Sequence, residues 1–262
     1  MLRIVLVAIA AGLVILILAD GTHRANHPAP AAQQRPTPES ARPAPPSTRP
    51  PPALADQLIP PTATPALDLI ARLATRRRIA REGTNVYLDS LFGHTDSVVT
   101  RWTDRMSLNV LLVPDTLLKQ WTPALLDEAR AAMRAWDGAG SGITLREIGS
   151  DKSPDITVHW TDVLTDSGQG GATTLKWSPD GVVHNATVTL ALRRNTDSAA
   201  IPPATRGRIA SHEFGHALGL PHSDSRDDIM FRNSPVSAPS SRDQATLRLL
   251  YVLFPGSLRV QP

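Results

Sequence analysis

The chain has 262 residues, no cysteine and a formal net charge of only +3 at pH 7. The lack of cysteine excludes disulfides, thiolate metal ligands, lipid-modified cysteines and cysteine-based latency. The small net charge gives little support to nucleic-acid binding, which needs a clustered basic surface, and we expect no nucleic-acid partner.

The amino terminus is a short basic segment followed by sixteen uncharged residues, Ile4 to Ala19, which are almost all apolar. Sixteen residues are at the short end of the range for a membrane span and at the long end of the range for a signal-peptide core. We therefore predict that residues 1–20 are a signal peptide or an N-terminal membrane anchor, and the sequence favours the uncleaved anchor. Either form exports the rest of the chain, which would be membrane-anchored, or secreted if the segment is cleaved.

Residues 21–62 are predicted to be a disordered linker rich in proline and alanine. Thirteen of the 24 prolines lie between Pro28 and Pro65, and such a composition buries too little apolar surface to fold. The linker would act as a semi-rigid spacer. The remainder is about 200 residues, which is enough for a sizeable core.

Residues 63–100 are predicted to be a helical N-terminal extension. Its helix, Thr64 to Arg81, has Thr64 as an N-cap candidate and Pro65 at the first helical position. Its apolar residues follow the spacing of an amphipathic helix and are Leu67, Ile70, Leu73 and Ala74. The sequence leaves open whether this helix is an inhibitory pro-segment.

Strands and helices then alternate through residues 101–262, where we expect one folded domain. Strands are predicted at 108–113, 143–148 and 155–160, a hairpin at 170–192, and helices at 122–136, 203–218 and 241–253. Ser241 is the predicted N-cap of the last helix. This order predicts an α/β (α+β) fold with one twisted sheet and few helices.

The helix predicted at 203–218 carries the sequence HEFGHALGLPH, residues 212–222. His212 and His216 are four residues apart, so they lie on one face of the helix. Gly219 can adopt a left-handed conformation that ends the helix and turns the chain, so that His222 returns to the same metal. Three imidazoles leave a fourth tetrahedral position open for water, which is the arrangement of a catalytic zinc.

Two further residues support this interpretation. Glu213 follows the first histidine and is placed to reach a water on the metal rather than the metal itself. Met230 comes eight residues after His222 and can form a turn beneath the site, although a methionine alone is more often ordinary core. The short pattern HExxH is weak and also fits a salt-bridged surface helix, but the third histidine makes a chance match improbable.

The segment resembles the matrixin branch of the metzincin metallopeptidases, and it is most similar to bacterial members. The resemblance includes Ser223 directly after the third histidine and Met230 at the family's spacing, and it covers roughly Trp102 to Pro255. It implies a metzincin-like zincin domain at 101–262, with a mostly parallel sheet, an antiparallel edge strand and about three helices. The membrane segment and the linker would precede this domain.

The resemblance also implies roles for individual residues. His212, His216 and His222 would bind one catalytic Zn²⁺, Glu213 would be the general base, and Met230 would support the site. The segment 171–177 would be an edge strand above the cleft that pairs with an extended substrate through its main chain. The candidate substrate-binding residues are Gly171, Ala172, Thr173 and Thr174.

The chain also departs from the family pattern. Family members commonly follow the turn methionine with a tyrosine or similar residue and a proline that help wall the specificity pocket. Here Met230 is followed by Phe-Arg-Asn-Ser-Pro235, so the shape of the pocket and the substrate preference stay open. No His-x-Asp pair occurs between residues 155 and 192, so a second, structural zinc is not expected. His159 is predicted to be a half-buried strand histidine, and His184 is a lesser candidate for a remnant ligand. Three acidic residues are candidate calcium ligands but fit turn positions more simply, namely Asp162, Asp166 and Asp180.

The sequence therefore predicts an exported, zinc-dependent endopeptidase that acts on a protein or peptide substrate, most simply as a monomer. One alternative is a non-catalytic, membrane-tethered, zinc-binding interaction module. Another is zinc hydrolysis of a non-peptide bond. The intact Glu213 argues against the first alternative, and the matrixin-like pattern argues against the second.

Overall fold

The computed structural model describes residues 63–93, 98–103, 107–137, 139–150, 152–165 and 170–258. The predicted signal or anchor, the predicted linker and Asp166 lie outside these residues. None of the helices in the described ranges is both long and apolar enough to cross a membrane. The helices are α1 (Ala63–Glu82), α2 (Ala124–Asp137), α3 (Pro203–Ala217) and α4 (Ser241–Val252). The strands are β1 (Val98–Val99), β2 (Ser107–Leu112), β3 (Thr144–Glu147), β4 (Ile156–Thr161), β5 (Gly171–Trp177), β6 (Val183–Ala191) and β7 (Gly256–Ser257).

Five strands form the central sheet in the order β3-β2-β4-β6-β5. The first four strands run parallel, and β5 pairs antiparallel with β6 at the edge. Buried and less buried residues alternate along β2 and β4, as expected when one face of a sheet is covered by helices. Val110, Ile156 and Ala186 form a fully buried row across the centre. The predicted fold, a mostly parallel sheet with an antiparallel edge strand, is confirmed.

Helix α2 packs against α3, the helix that carries the motif, and holds it in place. Along α2, residues at helical spacing are buried: Leu125, Ala129, Ala132, Met133 and Trp136. The Trp136 indole N–H donates to the Ser211 carbonyl at 2.8 Å, directly before the first motif histidine. Arg206 forms a bidentate ion pair with Glu128 between the two helices, at 2.6 and 2.9 Å.

The described part of the N-terminal extension packs into the same hydrophobic core as the domain. Helix α1 spans the predicted range, but its buried side is not the predicted one. Ile79 is buried, whereas Ile70 is 62% exposed and Ala74 is exposed. An arginine also takes part in the packing of α1: the Arg76 guanidinium lies over the Phe92 ring and donates to the Leu258 carbonyl at 3.0 Å.

The N-cap of helix α4 lies one residue before the predicted one. Ser240, not Ser241, is the N-cap, and its hydroxyl accepts from the backbone N–H groups of Arg242 and Asp243. The Asp243 carboxylate accepts in turn from the Ser240 backbone N–H at 2.8 Å, which completes a capping box. The prediction of Ser241 as the cap is therefore wrong, because Asp243 stands at the third helical position only when the cap is Ser240.

Candidate metal centre

The predicted turn after the motif helix forms at Gly219. This residue has φ +97°, and its N–H donates to the His216 carbonyl at 2.8 Å. An added Cβ would lie 2.5 Å from the Thr100 carbonyl oxygen, so both the backbone angle and the space require glycine. The turn sends the chain back towards α3 and brings His222 next to the two helical histidines.

The three histidines converge through their Nε2 atoms. His216 Nε2 lies 3.1 Å from His212 Nε2 and 3.3 Å from His222 Nε2. Tetrahedral Zn²⁺ with Zn–N bonds of 2.0–2.1 Å separates its ligand nitrogens by about 3.4 Å. The three nitrogens therefore fit a single zinc ion, and they form a group that could hold a metal.

Backbone carbonyls determine which ring nitrogen faces the metal position. His212 Nδ1 lies 2.7 Å from the Ile229 carbonyl oxygen, and His216 Nδ1 lies 2.8 Å from the Leu220 carbonyl oxygen. A carbonyl oxygen only accepts, so each Nδ1 carries the proton and each Nε2 keeps its lone pair. This is the tautomer that zinc coordination through Nε2 requires.

The surroundings keep these imidazoles neutral. Burial lowers the pKa of His212, and it lowers that of His216 well below the ordinary range. Burial, together with His212 and Arg232, lowers the pKa of His222 to about 4. At neutral pH the cluster therefore presents three uncharged nitrogen ligands.

Glu213 is buried on the side of α3 that faces β5. Its side chain is 6% exposed, and burial raises its pKa to about 7, an effect that a hydrogen bond from Thr173 opposes. The Thr173 hydroxyl lies 2.7 Å from Glu213 Oε2. The structure thus places two of the predicted substrate-binding residues, Gly171 and Thr173, against Glu213. Ala172 and Thr174 alternate with them along β5, and Thr174 is exposed.

Met230 lies beneath the motif helix, as the sequence predicts for a supporting residue. It is fully buried, and an added Cβ at Gly215 would lie 2.2 Å from its sulfur. The Ser223 N–H donates to the Met230 carbonyl at 2.9 Å, which ties this turn to the loop that carries His222.

Asp243 is a buried residue of the site that the sequence analysis missed. Its carboxylate accepts from the Ile229 N–H at 2.7 Å and from the Tyr87 hydroxyl at 2.8 Å. Because the Ile229 carbonyl holds His212, Asp243 fixes the turn that orients the first histidine. The Ser-x-x-Asp pattern of the α4 capping box, Ser240 to Asp243, is the sequence signal that could have identified this aspartate.

The remaining candidate ligands lie elsewhere among the described residues. His159 is half-buried on β4, as predicted, and His184 is exposed on β6. Asp162 forms a bidentate ion pair with Arg193, and Asp180 accepts from the Val182 N–H of its own turn. Within the described ranges, only the three motif histidines form a group of three or more residues that could hold a metal.

A cavity of about 300 Å³ opens beside His222. It lies between the loop that follows this histidine and the 3₁₀ segment Leu88–Gly93 of the N-terminal extension. Asp89 and Ser90 line one side of it, and Ser223 and Asp224 line the other. The extension therefore contributes to the surroundings of the histidine cluster.

Comparison with known proteins gives a family match over most of the described chain. The sequence model of the family described as Matrixin matches residues 101–251. The hatching enzyme of Paracentrotus lividus is 33% identical over 144 residues, which are 50% of this chain and 23% of that protein. Matrix metalloproteinase-25 of Mus musculus is 32% identical over 123 residues, which are 42% of this chain and 19% of that protein. The matched region spans less than a quarter of the length of these two curated relatives.

Proposed function

This chain belongs to the matrixin family, and on that premise we propose that it is a zinc-dependent endopeptidase that acts outside the cytoplasm. The observation that carries the proposal is the convergence of three uncharged Nε2 atoms, with separations of 3.1 and 3.3 Å, in a motif whose Glu213, directly after His212, is buried. His212, His216 and His222 would hold the metal. The extracytoplasmic location rests on the sequence of residues 1–20.

Bound zinc would supply the Lewis acidity that activates a water and polarises a peptide carbonyl. Glu213 would take a proton from the attacking water and pass it to the leaving amine. Burial raises the pKa of this carboxyl above that of an ordinary glutamate, towards the neutral range in which a general base works best. Met230 and Asp243 would act only by supporting the histidines.

The main chain of Gly171 to Thr174 would bind the substrate. Strand β5 is the outermost strand of the sheet, and its outer edge has no strand partner among the described residues. An extended peptide can add to such an edge through main-chain hydrogen bonds. The cavity beside His222 offers room for a substrate side chain.

The remaining features stay predictions. These are the boundaries at residues 20, 62 and 100, the single zinc ion, any bound calcium and the monomeric state. The burial of Ile79, Tyr87 and Leu88 in the domain core supports a structural role for the N-terminal extension.

Hydrolysis of casein or a mixed peptide substrate tests the proposal. We expect the full-length chain to cleave, a chelator to stop cleavage, and added zinc to restore it. Glu213→Ala should keep its zinc and lose activity by roughly 10²- to 10⁴-fold. Glu82→Ala, which changes an exposed glutamate at the end of α1, is the matched control and should stay active.

Two outcomes would contradict the proposal. Undiminished activity in Glu213→Ala would exclude the glutamate as the base. A wild-type chain that binds one zinc per molecule but cleaves no peptide would favour the alternative function, a membrane-tethered interaction module that binds zinc without catalysis.

A further inference from the structure

Strand β5 presents two side-chain positions to the motif helix. Successive residues of a strand point to opposite faces, so residues 171 and 173 share one face. That face lies on α3 at Glu213. A Cβ added at Gly171 would lie 2.6 Å from Glu213 Cγ, 2.8 Å from Glu213 Oε1 and 2.6 Å from Ile209 Cγ2. The glutamate side chain therefore fills the space that any larger residue at position 171 would need.

Two residues further along the same face, Thr173 contacts both the backbone and the side chain of Glu213. Its hydroxyl lies 3.0 Å from the Glu213 carbonyl oxygen and 2.7 Å from Oε2. The hydroxyl has one proton, and the shorter contact, to Oε2, is the better hydrogen bond of the two. Among the described residues, Thr173 provides the side chain that donates a hydrogen bond to this carboxylate.

The orientation of a buried carboxylate determines whether it can work as a base. A general base must lie within hydrogen-bond reach of the proton that it removes, and small misplacements strongly reduce its efficiency. Glu213 has rotatable bonds between its backbone on α3 and its carboxylate. Gly171 restricts that side chain by close packing, and Thr173 binds one of its two oxygens, Oε2, so the two residues together limit the orientations of the carboxylate.

We propose that Thr173 is a positioning residue that holds the Glu213 carboxylate in its working orientation, in a space that Gly171 leaves open. This inference rests on the proposed function. It gives β5 two roles, since the main chain would bind the substrate while the side chains of its inner face organise the base.

Three variants of the full-length chain test the inference. Thr173→Val keeps the shape of the side chain and removes the hydroxyl, whereas Thr173→Ser keeps the hydroxyl and removes the methyl group. Thr187→Val is the matched control, because Thr187 is a half-buried threonine on the neighbouring strand β6. The measurements are kcat and KM for a peptide substrate, together with the zinc content of each protein.

We expect Thr173→Val to lower kcat by about tenfold or more, with KM changed by less than about twofold and zinc content unchanged. Thr173→Ser should retain most of the wild-type kcat, and Thr187→Val should match the wild type. A wild-type kcat in Thr173→Val would overturn the inference. Equal losses in Thr173→Val and Thr173→Ser would also overturn it, because they would indicate packing rather than the hydrogen bond.

Crystal structures of the zinc-loaded wild type and Thr173→Val provide a readout that does not depend on cleavage. The Glu213 carboxylate should rotate away from its wild-type position in Thr173→Val, and an unchanged carboxylate would refute the inference. If the wild type cleaves no peptide, the proposed function fails, and the carboxylate position still decides whether Thr173 orients Glu213.

Discussion

Gly215 lies one residue before His216, where α3 packs closely against Met230 and Trp136. An added Cβ at this position would lie 2.2 Å from the Met230 sulfur and 2.9 Å from Trp136 Cζ2. Gly207 lies on the same helix, but an added Cβ there would meet no atom within 4 Å. Replacing Gly207 therefore tests only the low helix propensity of glycine, whereas replacing Gly215 also tests the lack of space for a side chain.

We predict opposite effects when each of these glycines is replaced by alanine. Gly207→Ala should raise the free energy of unfolding by about 0.5–1 kcal/mol, because alanine loses less backbone entropy in a helix. Gly215→Ala should lower it by about 1–2 kcal/mol, since the gain in propensity is smaller than the cost of overpacking against Met230. Urea unfolding at a fixed zinc concentration measures both. A stabilised Gly215→Ala would show that the Met230 side chain moves aside freely.

At the scale of elements, the carboxylate of Asp243 binds both the start of α4 and the turn that carries Met230. Asp243 closes the capping box with Ser240 and also accepts from the Ile229 N–H. The Ser240 hydroxyl additionally donates to the Asp228 carboxylate. The helix start is therefore tied to the turn that orients His212, and a change at the cap should affect both.

Two adjacent serines test this assignment of the cap. Ser240→Ala should lower the free energy of unfolding by about 1–2 kcal/mol, because two backbone N–H groups lose their acceptor. Ser241→Ala should change it by less than about 0.5 kcal/mol, since Ser241 is exposed on the first turn. Thermal and urea unfolding of the two variants check the difference. Equal losses in both would mean that Ser240 is not the dominant cap.

At the scale of the whole molecule, metal binding should contribute to stability. The three histidine nitrogens of the proposed metal site come from α3 and from the loop that follows it, so they meet only in the folded chain. A ligand that binds the folded chain alone stabilises it in proportion to its occupancy. A chain without cysteine has no disulfide to replace that contribution.

We predict that removing zinc with a chelator lowers the Tm of the wild type. At free zinc of one hundred times the Kd, the loss corresponds to roughly 2.7 kcal/mol. His222→Ala should show little dependence of Tm on zinc, while Glu213→Ala should respond like the wild type. Differential scanning calorimetry with and without chelator measures the effect. An identical Tm in both conditions for the wild type would contradict this prediction.

The two tyrosines of the chain allow a further test of the whole fold. Burial, followed by Asp243, raises the pKa of Tyr87 well above its ordinary value, and burial also raises the pKa of Tyr251. Below about pH 10 both the folded and unfolded chains keep these protons, so tyrosine ionisation does not affect stability. Above about pH 10 only the unfolded chain releases them, so stability falls as the pH rises.

The absorbance of phenolate at 295 nm should therefore stay flat through pH 10 and rise only as the protein unfolds. Circular dichroism recorded on the same samples shows whether the chain is still folded. A urea-unfolded sample, which should titrate near pH 10, is the control. A rise centred near pH 10 in a chain that is still folded would mean that these hydroxyl groups are exposed.

The sequence by itself determined the features that depend on a few neighbouring residues. Helical periodicity placed His212 and His216 on one face, and the conformational freedom of Gly219 predicted the turn towards His222. Alternating apolar residues and turn signals likewise predicted the strands of the sheet and the hairpin that forms β5 and β6. These features follow from local backbone geometry, which is the same wherever such a pattern occurs.

Only the tertiary structure decided which distant residues meet. Tyr87 reaches Asp243 across 156 residues, and Thr173 reaches Glu213 across 40. The buried side of α1 also depended on packing, since Ile79 is buried whereas Ile70 and Ala74, which periodicity assigns to the apolar face, are exposed. Such contacts depend on how the elements pack together, and no local pattern carries that information. The cluster of three histidines could therefore be predicted from the sequence, whereas the contact of Thr173 with Glu213 and that of Asp243 with the turn beside His212 could not.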